Sequence, residues 1–199
     1  MLGSADNIRV QLSALAVSHH LSKEFPDEAV AQARALPDEV TESDRMGRED
    51  MTGTLLFTID GDDAKDFDDA VSLDPIEGGW RLGVHIADVS HYVRRGTPID
   101  KEALRRGTSV YLPGLTLPML PEALSNRLCS LMPRVDRLAM SLMMDVRSGA
   151  VVDFRLTPSV IHSAARLTYA EVNRLFDGQS TAVPEPLWDV LRDMLALSK

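Results

Sequence analysis

The stretch T-I-D-G-D-D-A-K-D-F-D-D-A, from Thr58 to Ala70, sets a dense group of carboxylates between two apolar runs. The run L-L-F-T-I leads into it and the run A-V-S-L leads out of it. Short β-prone runs of this kind predict buried strands. We therefore expect the acidic group to lie between two strands rather than in a solvated tail. Its six aspartates are Asp60, Asp62, Asp63, Asp66, Asp68 and Asp69.

A divalent cation is the simplest way to stabilise these aspartates, because only Lys65 offsets their charge. Crowded carboxylates repel one another, and burying charge is costly unless it is paired or bound to a metal. All-oxygen ligands suit the hard ions Mg²⁺, Mn²⁺ and Ca²⁺. An EF-hand loop beginning at Asp60 would need glycine at Lys65 and glutamate at Val71, so that site is excluded. The apolar Phe67 between two aspartates argues against a solvated acidic turn.

Strand geometry places Asp66 and Asp68 on one face of the second strand, with Phe67 on the other. Asp69 would point away unless a bulge redirects it, and Asp60 would arrive from the end of the preceding strand. Carboxylates from both sides of a tight bend could thus converge, as in a Mg²⁺ site for phosphoryl transfer. Spacing alone leaves a nuclease, a phosphatase and a polymerase open.

Composition predicts a globular protein with one domain, or one domain and an appendage. The 199 residues include no apolar run near the roughly 18 residues of a membrane span, and no signal-peptide pattern. Cys129 is the only cysteine, so no internal disulfide can form, and a reducing cytoplasm is the expected location. The net charge of -9 argues against a polyanionic partner unless bound metal ions reverse the field around the aspartates.

The order of the predicted elements indicates an α+β fold: a curved, mainly antiparallel sheet with helices packed on one side and at the ends. The charged residues 38–50 are predicted to form an exposed loop, and residues 74–79 a long hairpin loop. Asp27 is predicted to cap the second helix. Strands are predicted at residues 55–59, 70–73, 80–86, 108–113, 138–146 and 151–157, and helices at 5–22, 27–36, 100–106, within 118–126, 168–176 and 184–197.

Six motifs along the chain resemble one known family and occur in its order. They are T-I-D-G-D-D-A-K-D-F-D-D-A (58–70), H-I-A-D-V-S-H-Y-V (85–93), R-R-G-T-S-V-Y-L-P-G (105–114), P-M-L-P-E-A-L-S-N (118–126), L-C-S-L (128–131) and R-L-T-Y (166–169). Together they resemble the RNB catalytic domain of the ribonuclease II family, and most closely its bacterial ribonuclease R group. The acidic motif is highly specific, and the others are individually moderate.

The resemblance implies a processive 3′-to-5′ exoribonuclease that hydrolyses single-stranded RNA to nucleoside 5′-monophosphates in RNA degradation. It implies Mg²⁺ as the cofactor, with Mn²⁺ as an alternative. By motif position it implies that Asp60, Asp66, Asp68 and Asp69 bind metal and the scissile phosphate, with Asp68 as the catalytic position least open to replacement. It also implies that Tyr111 packs at the 3′-terminal nucleotide, where stacking on a base contributes about 1–3 kcal/mol. Without the resemblance, a strand tyrosine would more simply be a core residue.

Other side chains in the motifs have more ordinary expected roles. Asp62 and Asp63 stand where the family does not require aspartate, so we expect loop residues there. His85 is predicted to be structural because Mg²⁺ prefers oxygen ligands, and Cys129 is predicted to be a small core residue. Lys65 either contacts phosphate or reduces repulsion between its acidic neighbours.

The motifs account for only part of the family's architecture. The family's RNA-binding β-barrels, and the later half of its catalytic domain with an arginine and a glutamate at the cleavage site, have no counterpart in these residues. The predicted organisation is a helical lead-in at residues 1–50 and a partial RNB domain at residues 51–199. Two interpretations stay open: part of an exoribonuclease, weakly active or inactive alone, or a truncated, non-catalytic metal- or RNA-binding remnant. The retained aspartates favour the first, because a relaxed site would be free to lose mutually repelling carboxylates.

Overall fold

The computed structural model describes residues 8–19 and 21–199. The chain packs as two compact units, a larger one of Asp38–Val89 with Asn126–Lys199 and a smaller one of Met1–Pro37 with Ser90–Ser125. The first predicted helix, residues 5–22, lies partly outside the described residues. The expected division between a helical lead-in at residues 1–50 and a partial catalytic domain at residues 51–199 stays a prediction.

The elements are numbered along the chain. The strands are β1 (Glu49–Met51), β2 (Leu56–Asp60), β3 (Asp69–Ile76), β4 (Gly79–Ala87), β5 (Val110–Leu112), β6 (Leu115–Leu117), β7 (Asp136–Arg147), β8 (Ala150–His162) and β9 (Ala165–Thr168). The helices are α1 (Ile8–Ser18), α2 (Asp27–Arg34), α3 (Glu42–Arg45), α4 (Val89–Tyr92), α5 (Pro98–Arg106), α6 (Tyr169–Phe176) and α7 (Trp188–Leu197). A π-helical turn at Leu124–Leu128 and a 3₁₀ turn at Glu185–Leu187 complete the set for the described residues.

The larger unit is built on a curled sheet with the spatial order β1-β8-β7-β4-β3-β2-β9. Its inner neighbours pair antiparallel, whereas the edge strands β1 and β9 run parallel to β8 and β2. The predicted α+β class with a curved, mainly antiparallel sheet is therefore confirmed. The edge strands β1 and β9 were not predicted, because three or four residues show too little alternation to identify.

The hairpin between β3 and β4 is tighter than expected. We predicted a long loop over residues 74–79, but β3 continues through Pro75, which pairs with Trp80. Proline is tolerated there because the ladder from β2 reaches only Val71 and Ser72, so the missing N–H of Pro75 breaks no bond on that side. Gly78 closes the turn with a φ of 75°, a backbone region that favours glycine.

Helices α6 and α7 cover the part of the sheet formed by β2, β3 and β9, as predicted for residues 168–176 and 184–197. Thr168 begins α6 with a reciprocal cap, in which its hydroxyl accepts the N–H of Glu171 and the Glu171 carboxylate accepts the N–H of Thr168. The buried residues of this core are Phe57, Leu167, Val172, Leu175, Val183, Leu187 and Leu191. This packing fixes the end of β2, where the acidic stretch begins.

The prediction of an exposed loop at residues 38–50 is right about exposure, since most of these residues are exposed and none is buried, but wrong about the loop. Thr41 caps the short helix α3, and β1 adds to the sheet beside β8. Arg48 forms a buried ion pair with Asp88 at 2.5 Å, and Arg45 pairs with Asp136. The charged residues suggested an exposed loop, but several of them form ion pairs with residues that are distant in the sequence.

The smaller unit contains α1, α2, α5 and the hairpin of β5 with β6, of which β6 was not predicted. Helix α2 begins at Asp27 without a side-chain cap, so the predicted Asp27 cap is wrong; its position in the first turn still favours a negative charge. The side chain of Arg106 is buried in this unit. It donates to the carbonyl oxygens of Ser22 and Pro118 and to the carboxylate of Glu102.

Candidate functional site

The candidate site is the acidic loop, residues 61–68, together with the two strand ends that flank it. Asp60 is the last residue of β2 and Asp69 is the first residue of β3. The intervening residues have no regular strand structure, so the predicted alternation of Asp66, Phe67 and Asp68 along a strand is wrong. The burial of Phe67, and not the pleat of a strand, orients the aspartates on either side of it.

Asp60 is partly exposed, and one of its two carboxylate oxygens is enclosed by the fold. Its Oδ2 atom is buried and forms no hydrogen bond of normal geometry among the described residues. Burial raises the pKa of Asp60 and the hydroxyl of Thr58 lowers it; the carboxylates of Asp69 and Asp66 raise it further, and the guanidinium of Arg166 opposes them. An unpartnered acceptor of this kind is costly for a fold unless a ligand completes it.

Asp68 lies in the same electrostatic environment. The residue as a whole is exposed, yet partial burial of its carboxyl group raises its pKa. The neighbouring carboxylates of Asp66, Asp69 and Asp60 raise the pKa of Asp68 further. The four predicted site aspartates therefore act on one another, although they come from two strands and a loop.

The aspartates do not form a preassembled ligand set. Within the described part of the chain, no group of three or more histidine, cysteine, aspartate or glutamate side chains is arranged to hold a metal ion. The chemistry of the group nevertheless fits a hard divalent cation, because every donor is a carboxylate oxygen and Asp60 Oδ2 is buried without a hydrogen bond of normal geometry among the described residues. Mutual repulsion keeps such side chains apart, and a cation would oppose that repulsion.

The other residues considered for a functional role are exposed, some in the acidic loop and one in the smaller unit. Asp62 and Asp63 are exposed in a turn of the loop, as expected, and Lys65 is exposed beside them. Tyr111 lies on the β5–β6 hairpin of the smaller unit with 63% of its surface exposed, so it is not a core residue. Its proposed contact with RNA stays a prediction.

Two further motif residues are structural, as predicted. His85 is fully buried in β4, where its ring nitrogens hydrogen-bond to Ser72 at 3.1 Å and Ser141 at 2.6 Å. Burial lowers the pKa of His85 to about 4, so the ring is neutral at pH 7. Cys129 is buried, and burial raises the pKa of its thiol to about 12, which leaves it protonated and unreactive.

Sequence reasoning missed the residues that hold the acidic loop in place. Ser130 and Arg166 both hydrogen-bond to its backbone. They belong to the L-C-S-L and R-L-T-Y motifs, and Ala87 of the H-I-A-D-V-S-H-Y-V motif also bonds to this segment. The signal was thus present in the motifs, but nothing in the spacing showed that they meet.

Comparison with known proteins gives a consistent result. The model of the RNB domain family matches residues 48–199. The chain is 45% identical over 204 residues to ribonuclease R of Thermotoga maritima, covering 100% of this chain and 29% of that protein. It is 49% identical over 163 residues to ribonuclease R of Escherichia coli K12, covering 81% of this chain and 20% of that protein.

A solved structure is similar over nearly the whole chain. Mycoplasma genitalium RNase R in complex with ribose-methylated single-stranded RNA superposes with a TM-score of 0.91 at 34% identity. The match covers 99% of this chain and 31% of that one. The chain therefore spans about three tenths or less of the length of the relatives that it matches.

Proposed function

The chain belongs to the RNB domain family, and on that premise we propose that it forms part of a 3′-to-5′ exoribonuclease. The proposed reaction is the processive hydrolysis of single-stranded RNA to nucleoside 5′-monophosphates, in RNA degradation. Relatives that match this chain are named ribonuclease R, and one of them has been solved with single-stranded RNA. We place the protein in the cytoplasm; among the described residues no helix has the length and apolar character to cross a membrane.

The observation that carries this proposal is the electrostatic environment of Asp60 and Asp68. Neither forms an ion pair within the described residues, and burial together with neighbouring carboxylates raises the pKa of each. A fold that needed only stability would pair or replace such groups, because burying charge without a partner is unfavourable. Their retention at the junction of two strands is what a cation-dependent site requires.

We assign Asp60, Asp66, Asp68 and Asp69 as the residues that hold Mg²⁺, with Mn²⁺ as a substitute. When bound, the metal supplies an activated water at neutral pH and offsets the charge of the scissile phosphate. The chain's own contribution is to present four carboxylates and to enclose the Oδ2 atom of one of them, Asp60, within the fold. Tyr111 is the proposed stacking residue for the 3′-terminal base.

A chimeric enzyme tests this function. Residues 1–199 would replace the matched segment of Thermotoga maritima ribonuclease R, whose remaining polypeptide would supply whatever the chain itself lacks. We expect the chimera to release nucleoside 5′-monophosphates from the 3′ end of labelled single-stranded RNA when Mg²⁺ is present. A folded chimera that binds RNA and never cleaves it would contradict the proposal.

The alternative is a non-catalytic metal- or RNA-binding remnant. The small share of each relative that the chain spans, and the lack of a preassembled ligand set among the described residues, favour it for the chain in isolation. We expect residues 1–199 alone to show little or no nuclease activity. The chimera separates the two candidates, because a remnant with a relaxed site would stay inactive in a complete enzyme.

A further inference from the structure

The acidic loop has no regular secondary structure, so its shape depends on contacts that come from outside it. This matters for any ion held by Asp66 and Asp68. A metal site requires its ligands within a narrow range of positions, and groups that orient the ligands control affinity. The residues that contact the loop backbone therefore affect metal binding as well as the carboxylates themselves.

Ser130 holds the loop on both sides of Asp66. Its hydroxyl donates to the carbonyl oxygen of Lys65 at 2.9 Å and accepts the N–H of Phe67 at 3.1 Å. Ser130 is fully buried, and its own carbonyl oxygen accepts a hydrogen bond from Arg137 at 3.0 Å. One neutral side chain thus fixes the peptide units before and after a proposed metal ligand.

Backbone groups complete the same attachment around Asp68. The N–H of Leu131 donates to the carbonyl oxygen of Phe67 at 2.8 Å, and the N–H of Ala87 donates to that of Asp68 at 2.9 Å. Phe67 itself is buried. The loop segment from Lys65 to Asp68 is therefore held by two separate parts of the chain, residues 130–131 and the end of β4.

Arg166 holds the other end of the loop. Its Nη2 donates to the carbonyl oxygens of Gly61 at 2.6 Å and Asp62 at 2.9 Å, and its guanidinium carbon lies 5.6 Å from the centre of the Phe67 ring. Arg166 is paired across the β2–β9 ladder with Thr58, two residues before Asp60. It therefore links the strand that carries Asp60 to the loop that carries the other ligands.

We infer that Ser130 and Arg166 are positioning residues, which hold the acidic loop in the shape that binds the divalent cation. They act through backbone carbonyl and amide groups of the loop. The inference rests on the proposed function, because it assumes that the aspartates bind metal. Ser130 gives the cleaner test, since it is uncharged and fully buried, whereas the charge of Arg166 also acts on Asp60.

Binding of Mn²⁺ to residues 1–199, followed by electron paramagnetic resonance of the free ion, tests the inference without any assay of activity. We expect Ser130→Ala to weaken Mn²⁺ binding about 10–100-fold, the range found when groups that orient metal ligands are removed. The matched control is Ser163→Ala. Ser163 is equally buried in the same unit, but its hydroxyl donates to the carbonyl oxygen of Ala165.

A structural role alone would lower the unfolding temperature in both serine variants and leave the Mn²⁺ affinity of each unchanged. That result would overturn the inference, as would an equal loss of affinity in the two variants. A wild-type chain that binds no Mn²⁺ at millimolar concentration would instead defeat the proposed metal site itself. The two failures are therefore distinguishable.

Amide hydrogen exchange supplies a second measurement, and its decisive result comes from the wild-type chain. In the wild-type chain the N–H of Phe67 should exchange slowly, because Ser130 accepts it inside the fold. Arg166→Gln should raise the exchange rate of loop amides and weaken Mn²⁺ binding in parallel. Fast exchange at Phe67 in the wild-type chain would show that the loop is not held, and would overturn the inference even if Ser130→Ala failed to fold.

Discussion

Acidic side chains meet opposite surroundings in two regions of the molecule. In the smaller unit, Glu102 lies between Arg105, at 2.6 Å, and Arg106, at 2.8 Å, and these partners lower its pKa to about 2. In the larger unit, burial and neighbouring carboxylates raise the pKa of Asp60 and of Asp68. The same chain thus pairs the buried Glu102 with two arginines and leaves Asp60 and Asp68 among like charges.

The difference indicates which acid serves the fold and which serves a ligand. Glu102 neutralises Arg106, whose guanidinium also bonds to backbone carbonyl oxygens, so the pair ties together distant parts of its unit. Asp60 and Asp68 give the fold no comparable stabilisation, because the charges that act on them are mostly those of other aspartates. We therefore expect substitutions in the two regions to separate stability from function.

The largest expected effect is on catalysis in the chimera. Asp68→Asn should lower the rate of RNA hydrolysis by about a thousandfold, because it removes a charge from the metal-binding set. The free energy of unfolding of residues 1–199 should rise or stay the same, because repulsion among the carboxylates falls. The measurements are single-turnover cleavage of labelled RNA and urea unfolding. Full activity in the variant would refute the assignment of Asp68.

Substitution of Glu102, the paired acid, should lower stability and leave metal binding unchanged. Glu102→Gln leaves the buried guanidinium of Arg106 without its carboxylate, and we expect the free energy of unfolding to fall by roughly 2 kcal/mol. Mn²⁺ binding should be unchanged, because Glu102 belongs to the other unit. A large loss of Mn²⁺ affinity with little loss of stability would contradict the comparison.

The pH dependence of these two variants should differ in sign. Glu102 has a lowered pKa, so its stabilising effect is complete above its ordinary pKa of 4.5 and disappears as the pH falls toward about 2. The destabilisation by Glu102→Gln should therefore shrink in acid. Asp68 has a raised pKa, so its charge destabilises the fold at neutral pH and this effect is relieved as the pH falls toward its ordinary value of 3.8. Urea unfolding between pH 3 and 7 measures both trends.

The smallest expected effect is stabilisation by the cation. At ten times its dissociation constant, Mg²⁺ should raise the free energy of unfolding by about 1.4 kcal/mol, which corresponds to a rise in unfolding temperature of about 3–6 °C. Asp60→Asn should remove this rise, whereas Asp189→Asn, an exposed control in the same unit, should keep it. An equal response in both variants would mean that the ion acts elsewhere.

The sequence predicted the long strands, the late helices and the fold class because their periodic patterns extend over many residues. It failed in part at residues 38–50, which are mostly exposed as predicted but contain α3 and the start of β1, and where Arg48 pairs with Asp88. It also failed within the acidic stretch, where an alternating pattern suggested a strand and the backbone is a loop. In each case a contact with residues at least 40 positions away decides the local structure.

The acidic residues of the candidate site could be predicted from the sequence, whereas the residues that hold the acidic loop in place could not. The density of carboxylates in the acidic motif pointed to six aspartates as a candidate metal site, and the resemblance to the ribonuclease II family selected four of them as predicted ligands. Ser130 and Arg166 could not be identified in the same way, because a serine and an arginine in short motifs carry no distinctive chemistry. Their role follows only from the hydrogen bonds that bring residues 130 and 166 to the same loop.

The central claim is that Asp60, Asp66, Asp68 and Asp69 bind a divalent cation. A crystal of residues 1–199 grown with Mn²⁺ tests it most directly, because anomalous scattering locates the ion. The account predicts an anomalous peak within about 2.0–2.3 Å of carboxylate oxygens from both Asp60 and Asp68. Full Mn²⁺ occupancy at another site, with these carboxylates bound only to water, would contradict it.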